Sequence, residues 1–91
     1  MIEGKTKSGF EYKIEDTAFN DMRVIDLLID MDNKDAGDAI IIMSKVSRLL
    51  LGEQQKNELY KAIANEDGSV GMDKFMDEMA DILTSKPELK N

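Results

Sequence analysis

The stretch Leu49-Leu50-Leu51-Gly52-Glu53-Gln54-Gln55 decides how this chain folds. Three leucines end at a glycine, and a polar amphipathic segment continues as far as Asn65-Glu66-Asp67-Gly68. A glycine has no Cβ, so it adopts the left-handed backbone conformation that closes a helix at little cost. The two glycines therefore predict a helical hairpin in which one helix ends at Gly52 and the next ends near Gly68.

Apolar residues repeat with helical spacing on both sides of this stretch, which predicts about four helices in a small bundle. The first spans Met22 to Met31, the second about Asp38 to Leu51, the third about Glu53 to Ala64, and the fourth begins at Met72 and ends before Lys86-Pro87. Apolar residues cover more than half the circumference of the first helix. So wide an apolar face indicates contact with more than one neighbour.

Three polar residues are candidate N-caps, because their short side chains accept hydrogen bonds from the first free N–H groups of a helix. Thr17 and Asn20 are the candidates for the first helix, and Asp38 is the candidate for the second. The caps and the two glycines together predict the ends of the helices.

The residues before the first helix predict a β-hairpin. Phe10, Tyr12 and Ile14 alternate with charged residues, Lys7-Ser8-Gly9 is a turn, and residues 2–6 are a weaker partner strand. A two-stranded hairpin is marginally stable by itself in water. Its aromatic face must therefore pack on the helices or on another subunit, and the sequence leaves both open.

The predicted fold class is mainly α, with about four helices in a small bundle and an N-terminal β-hairpin. Residues 1–17 form the hairpin, residues 18–85 form the helical core of the same domain, and residues 86–91 form a polar C-terminal tail. A chain of 91 residues has material for one modest core.

The composition argues against several classes of function. The chain has no cysteine and no histidine, so it lacks the usual general base and the commonest metal ligands, and we expect no enzymatic activity, no cofactor and no metal site. A net charge of −7 without a basic segment argues against a nucleic-acid partner. No apolar run is long enough to cross a bilayer and no secretory signal is present, so we expect no membrane partner and a cytoplasmic location.

The segment Asn65-Glu66-Asp67-Gly68-Ser69-Val70 resembles the second half of an EF-hand calcium loop. If Gly68 takes the sixth loop position, Ile63 takes the first and Lys74 takes the twelfth, where carboxylates are required. An ammonium group at the twelfth position would repel the ion. We therefore interpret the segment as a turn between helices and expect no response to calcium.

Six apolar residues are candidates for protein interaction. On the second helix, two isoleucines lie off the main apolar stripe, and large exposed apolar patches are rare on monomers. On the fourth helix, methionines supply flexible contacts that suit varied partners. In both helices the alternative is that these residues only fill the core. The candidates are Ile40, Ile41, Leu51, Met72, Met76 and Met79.

Taken together, these features resemble a known family. The strand pair with an aromatic residue, the Asp-rich entry into an apolar helix, Leu49-Leu50-Leu51-Gly52-Glu53-Gln54-Gln55, and Glu66-Asp67-Gly68-Ser69-Val70 before a Met-rich helix are similar to the small tail assembly chaperones of long-tailed phages and prophages of Gram-positive bacteria. The resemblance covers almost the whole chain.

The resemblance implies a small, mostly helical, non-enzymatic protein that binds the tape measure protein, keeps it soluble and assists assembly of the tail tube. It implies the major tail protein as a further partner, a location in the host cytoplasm, and absence from the mature virion. It assigns no active-site residue. It also implies a longer form made by ribosomal slippage, for which Leu89-Lys90-Asn91 is a candidate site.

A second class of function stays open. Self-association through the second helix, which we expect from Ile40 and Ile41, is also typical of a small helical regulatory or antitoxin-like dimerising protein. The position of the gene would separate the two classes, because a tail chaperone gene lies between those for the major tail protein and the tape measure protein.

Overall fold

The computed structural model describes residues 1–32 and 35–84. The predicted tail at residues 86–91, with the candidate slippage site at residues 89–91, lies outside the described residues. In chain order the elements are β1 (Ile2–Lys5), β2 (Glu11–Ile14), a 3-10 helix (Asp16–Asn20), α1 (Met22–Met31), α2 (Ala36–Ile63) and α3 (Met72–Thr84). The chain is mainly helical with an N-terminal antiparallel hairpin, as predicted, but the described residues form three α-helices and not four.

The difference in helix number comes from Gly52. The predicted second and third helices are the two halves of α2, which follow each other without a connecting loop. Gly52 alone leaves the helical conformation, with φ 79° and ψ 167°, a region that is accessible essentially only to glycine. The predicted break at Gly52 is therefore confirmed, and what was wrong is the expectation of two separate helices.

The hairpin packs against helices of its own chain, which settles one of the questions that the sequence left open. Its strands pair Ile2 with Ile14 and Gly4 with Tyr12. One face carries Phe10, Tyr12 and Ile14, and all three are buried. The ring of Tyr12 lies directly over Gly4, where a Cβ atom would overlap the phenol. Any side chain at position 4 would therefore displace the Tyr12 ring.

The core is built around α2, which contacts α1, α3, β2 and the 3-10 helix. Its N-terminal half contributes Val46 and its C-terminal half contributes Leu59, and both side chains are completely buried. From α1 comes Val24, and from α3 come Met79 and Ile82. Because Gly52 changes the direction of the chain, both halves of α2 turn an apolar face to one core.

The predicted N-caps were wrong by a few residues. Thr17 and Asn20 lie within the 3-10 helix, and the cap of α1 is Asp21, whose Oδ1 accepts from the N–H of Arg23 at 2.9 Å. The cap of α2 is Asp35, whose Oδ1 accepts from the N–H of Asp38 at 3.0 Å. Asp21 directly follows Asn20, and Asp35 lies three residues before Asp38. Local sequence does not decide which of several nearby oxygens faces the helix.

Candidate functional site

The six interaction candidates fall into three groups in the structure. Leu51 and Met79 are 5% and 0% exposed, so they belong to the core and not to any surface of this chain. Ile40 and Met76 are half-buried and pack against the core. Ile41 and Met72 are 57% and 65% exposed. Only the last two candidates present most of their side chain to solvent.

The structure brings Ile40 and Met72 together in one cleft. The cleft lies between the N-terminal half of α2, its C-terminal half and the start of α3. We call it the α2–α3 cleft; its lining residues are Ile40, Ser44, Tyr60, Val70, Met72 and Phe75. The rings of Tyr60 and Phe75 pack edge to face, with centroids 5.9 Å apart. The cleft is thus an apolar depression with Met72 exposed at its rim.

Behind the cleft lies a buried lysine. The Lys56 side chain is 4% exposed, and its Nζ donates to the backbone oxygen of Ser44 at 2.9 Å and to its Oγ at 2.8 Å. The same ammonium lies 5.7 Å from the centroid of the Tyr60 ring, within the range of a cation–π contact. These contacts tie the two halves of α2 together, and they hold Ser44 and Tyr60 in place as walls of the cleft.

A second apolar surface was not among the predicted candidates. Met22 and Ile29 on α1 are 57% and 59% exposed, and Ile25 between them is half-buried. At about 100° per residue these three side chains form one stripe, on the side of α1 away from the buried Val24. We call them the α1 stripe. The width of the apolar face on this helix was the signal that could have identified them, because one neighbour covers only part of it.

The hairpin turn is held to the C-terminal half of α3 by polar contacts over long sequence separations. Glu78 on α3 is 3% exposed and accepts hydrogen bonds from the hydroxyls of Thr6 and Ser8 in the hairpin turn. Asp81, one turn further along α3, accepts from the backbone N–H of Lys7 at 2.9 Å. We call this set the anchored end. Its polar groups are satisfied within the chain, so it is a structural joint.

Gln55 joins the hairpin to the break in α2. Its Oε1 accepts from the N–H of Lys13 at 2.8 Å, and its Nε2 donates to the oxygen of Lys13 at 2.7 Å and to that of Leu51 at 2.9 Å. The side-chain amide therefore pairs with β2 as a neighbouring strand would. It also satisfies a carbonyl next to Gly52. The polar residues after the glycine thus position the hairpin.

The turn between α2 and α3 uses its own acidic group. Gly68 has φ 90°, and the Oδ1 of Asp67 accepts from the N–H of Ser69 at 2.9 Å and from its hydroxyl at 2.6 Å. These hydrogen bonds from Ser69 lower the pKa of Asp67 below its ordinary value of 3.8, because they stabilise the carboxylate. The prediction of a glycine turn between helices is confirmed. Within residues 1–32 and 35–84, no three acidic side chains converge in the manner of a metal site.

The described helices include none that is both long enough and apolar enough to span a bilayer. Comparison of the chain with protein-family models, with curated proteins and with solved structures gives no significant match.

Proposed function

We propose that this protein is a non-enzymatic tail assembly chaperone that binds the tape measure protein in the host cytoplasm, assists assembly of the tail tube and is absent from the mature virion. The family resemblance supplies the client, and the exposed apolar side chains supply the surface that would bind it. The major tail protein is a further partner under this proposal.

The observation that supports the proposal is the exposure of large apolar side chains on two surfaces. Met22 and Ile29 on the α1 stripe and Met72 at the rim of the α2–α3 cleft each leave more than half of the side chain in water. Methionine is unbranched and polarizable, so it adapts to differently shaped apolar partners. A long helical client would offer side chains that such surfaces can cover.

The charge of the chain fits this role. Asp26 and Asp30 are exposed beside Ile29, and the chain carries a net charge of −7. Acidic groups around an apolar surface keep a loaded chaperone soluble through mutual repulsion. Apolar contact and acidic surroundings together favour a chaperone over a protein that only fills space in an assembly.

The test is to co-express the chain with the tape measure protein of the same phage or prophage, and to measure how much tape measure protein stays soluble and co-purifies. Ile29→Glu and Met72→Glu should each reduce the recovered complex, because each places a charge in the apolar contact. The matched control is Ala80→Glu, an exposed position on α3 outside both surfaces, which should recover as much complex as the parent. Equal recovery from all three variants, or no complex with the parent, would contradict the proposal.

Self-association through α2 is a separate part of the proposal, and it is also the feature that favours the alternative of a dimerising regulatory or antitoxin-like protein. Ile41 is 57% exposed and lies on the outer side of α2. Ile41→Glu should give a folded protein of smaller hydrodynamic size than the parent by light scattering. A parent protein that is strictly monomeric at high concentration would exclude this contact. An Ile41→Glu variant that still binds the tape measure protein would favour the chaperone.

A further inference from the structure

One edge of the hairpin is already occupied. The N–H and C=O groups of Lys13 both bond to Gln55, so they point away from β1. Backbone groups alternate in direction along a strand. In β2 the groups that face β1 are therefore those of Tyr12 and Ile14, the partners of Gly4 and Ile2. The edge formed by β2 is thus covered at Lys13 by a side-chain amide from α2.

The other edge, formed by β1, is not paired by any group of residues 1–32 and 35–84. By the same alternation, the backbone groups of Glu3 and Lys5 point away from β2, and both residues are exposed. In the part of the chain that the structure describes, no backbone or side-chain group bonds to these outward N–H and C=O groups. Beyond Thr6 the edge closes again, because Asp81 accepts from the N–H of Lys7. The free edge is therefore short and runs from Glu3 to Lys5.

We propose that this edge pairs with the same edge of a second copy of the chain, antiparallel and centred on Gly4. In that register Glu3 lies opposite Lys5 of the second copy, and Lys5 lies opposite its Glu3. Both residues of each pair have outward backbone groups, so each pair exchanges two N–H···O=C hydrogen bonds. The two hairpins become one four-stranded sheet.

Charge complementarity selects the partner and the register. Within one hairpin Glu3 faces Lys13 and Lys5 faces Glu11. In the paired sheet the exposed face would read Lys13, Glu3, Lys5 and Glu11 across the four strands, so that opposite charges alternate throughout. Moving the centre to Glu3 or to Lys5 would place like charges directly opposite each other. The edge is therefore complementary to itself in one antiparallel register.

The contact is small, so the association is weak and needs high protein concentration. A pair of charge-reversal variants tests it. Glu3→Lys and Lys5→Glu each place like charges across the interface, whereas an equimolar mixture of the two restores both opposite-charge pairs. All measurements use the Ile41→Glu background, so that association through α2 is separated from association through β1.

The readout is sedimentation equilibrium at up to about 1 mM protein, with circular dichroism to confirm that each variant is folded. We expect each single variant to dissociate about tenfold more readily than its background, and the mixture to recover the original dissociation constant. Glu66→Lys and Lys61→Glu, at exposed positions away from the hairpin, control for the change in net charge and should have no effect. The proposal would be overturned if the Ile41→Glu background protein stays monomeric. It would also be overturned if charge reversal at positions 3 and 5 leaves the dissociation constant unchanged.

Discussion

The anchored end and the α1 stripe differ in whether the rest of the chain covers their side chains. At the anchored end, Glu78 is buried and both of its oxygens accept hydrogen bonds from the hairpin turn. On the α1 stripe, Met22 and Ile29 remain more than half exposed. Buried polar groups are normally satisfied, whereas several large apolar side chains exposed on one surface are unusual. The first region is explained by folding alone, whereas the second is a surface that we propose binds a partner.

The same contrast occurs within α3, and it gives the prediction with the largest expected effect. Met79 is 0% exposed and Met72 is 65% exposed. Met79→Ala should lower the free energy of unfolding by about 3 kcal/mol, since it removes buried methylenes and leaves a cavity. Met72→Ala should change it by less than about 0.5 kcal/mol. Urea denaturation of both variants measures the difference, and equal effects would mean that the two methionines have similar surroundings.

A smaller effect is expected from the buried carboxylate of the anchored end. Glu78→Ala leaves the hydroxyls of Thr6 and Ser8 without their acceptor, and Thr6 is itself buried. We expect a loss of about 2 kcal/mol in unfolding free energy. Asp77→Ala, at the exposed neighbouring position, is the matched control and should be nearly neutral. If both variants have the parent's denaturation midpoint, the hairpin turn is not held by Glu78.

Within the hairpin, Gly4 should be intolerant of a side chain. Gly4→Ala places a Cβ against the Tyr12 phenol, which must move out of its position. We expect a loss of about 1 kcal/mol or more. Gly71→Ala is the control, because a Cβ there meets nothing within 4 Å and its φ is not positive. Thermal midpoints compare the two; an unchanged midpoint for Gly4→Ala would show that the ring packs elsewhere.

The smallest effect concerns the exposed turn at Asp67. Its pKa is lowered by the hydrogen bonds from Ser69, so the ionised carboxylate stabilises the folded state above pH 3.8, and this contribution is lost as pH falls through the lowered pKa. Asp67→Ala should therefore lower the thermal midpoint slightly at pH 7, and the difference from the parent should disappear in acid. Glu66→Ala, at the exposed neighbouring position, is the matched control and should leave the thermal midpoint at pH 7 unchanged. A difference that grows in acid would contradict the assigned hydrogen bonds.

Local features of the sequence predicted much of the fold. The alternation at Phe10, Tyr12 and Ile14 predicted the hairpin and its buried face. Among the described residues the glycines with positive φ are Gly9, Gly52 and Gly68, and each lies in a turn or break that the sequence predicted. These features depend on backbone preferences and on a period of two or 3.6 residues, which a single segment contains.

The buried charged residues could not be predicted in the same way. Glu78 bonds to Thr6, 72 positions away, and Lys56 bonds to Ser44 across the break in α2. A local pattern assigns such charges to the solvent side of a helix. Leu51 was a candidate for an interaction surface but is buried. Burial of these residues is a property of the tertiary arrangement.

The central claim is that the α1 stripe and the α2–α3 cleft bind a client while the anchored end only holds the fold together. The most direct measurement is backbone amide and methyl NMR of the labelled chain during titration with the proposed client, the tape measure protein of the same phage or prophage. We predict that the largest shifts occur at the methyl groups of Met22, Ile29 and Met72, with the hairpin turn at residues 6–9 unchanged. Shifts confined to the hairpin turn, with no change at those three methyl groups, would contradict the account.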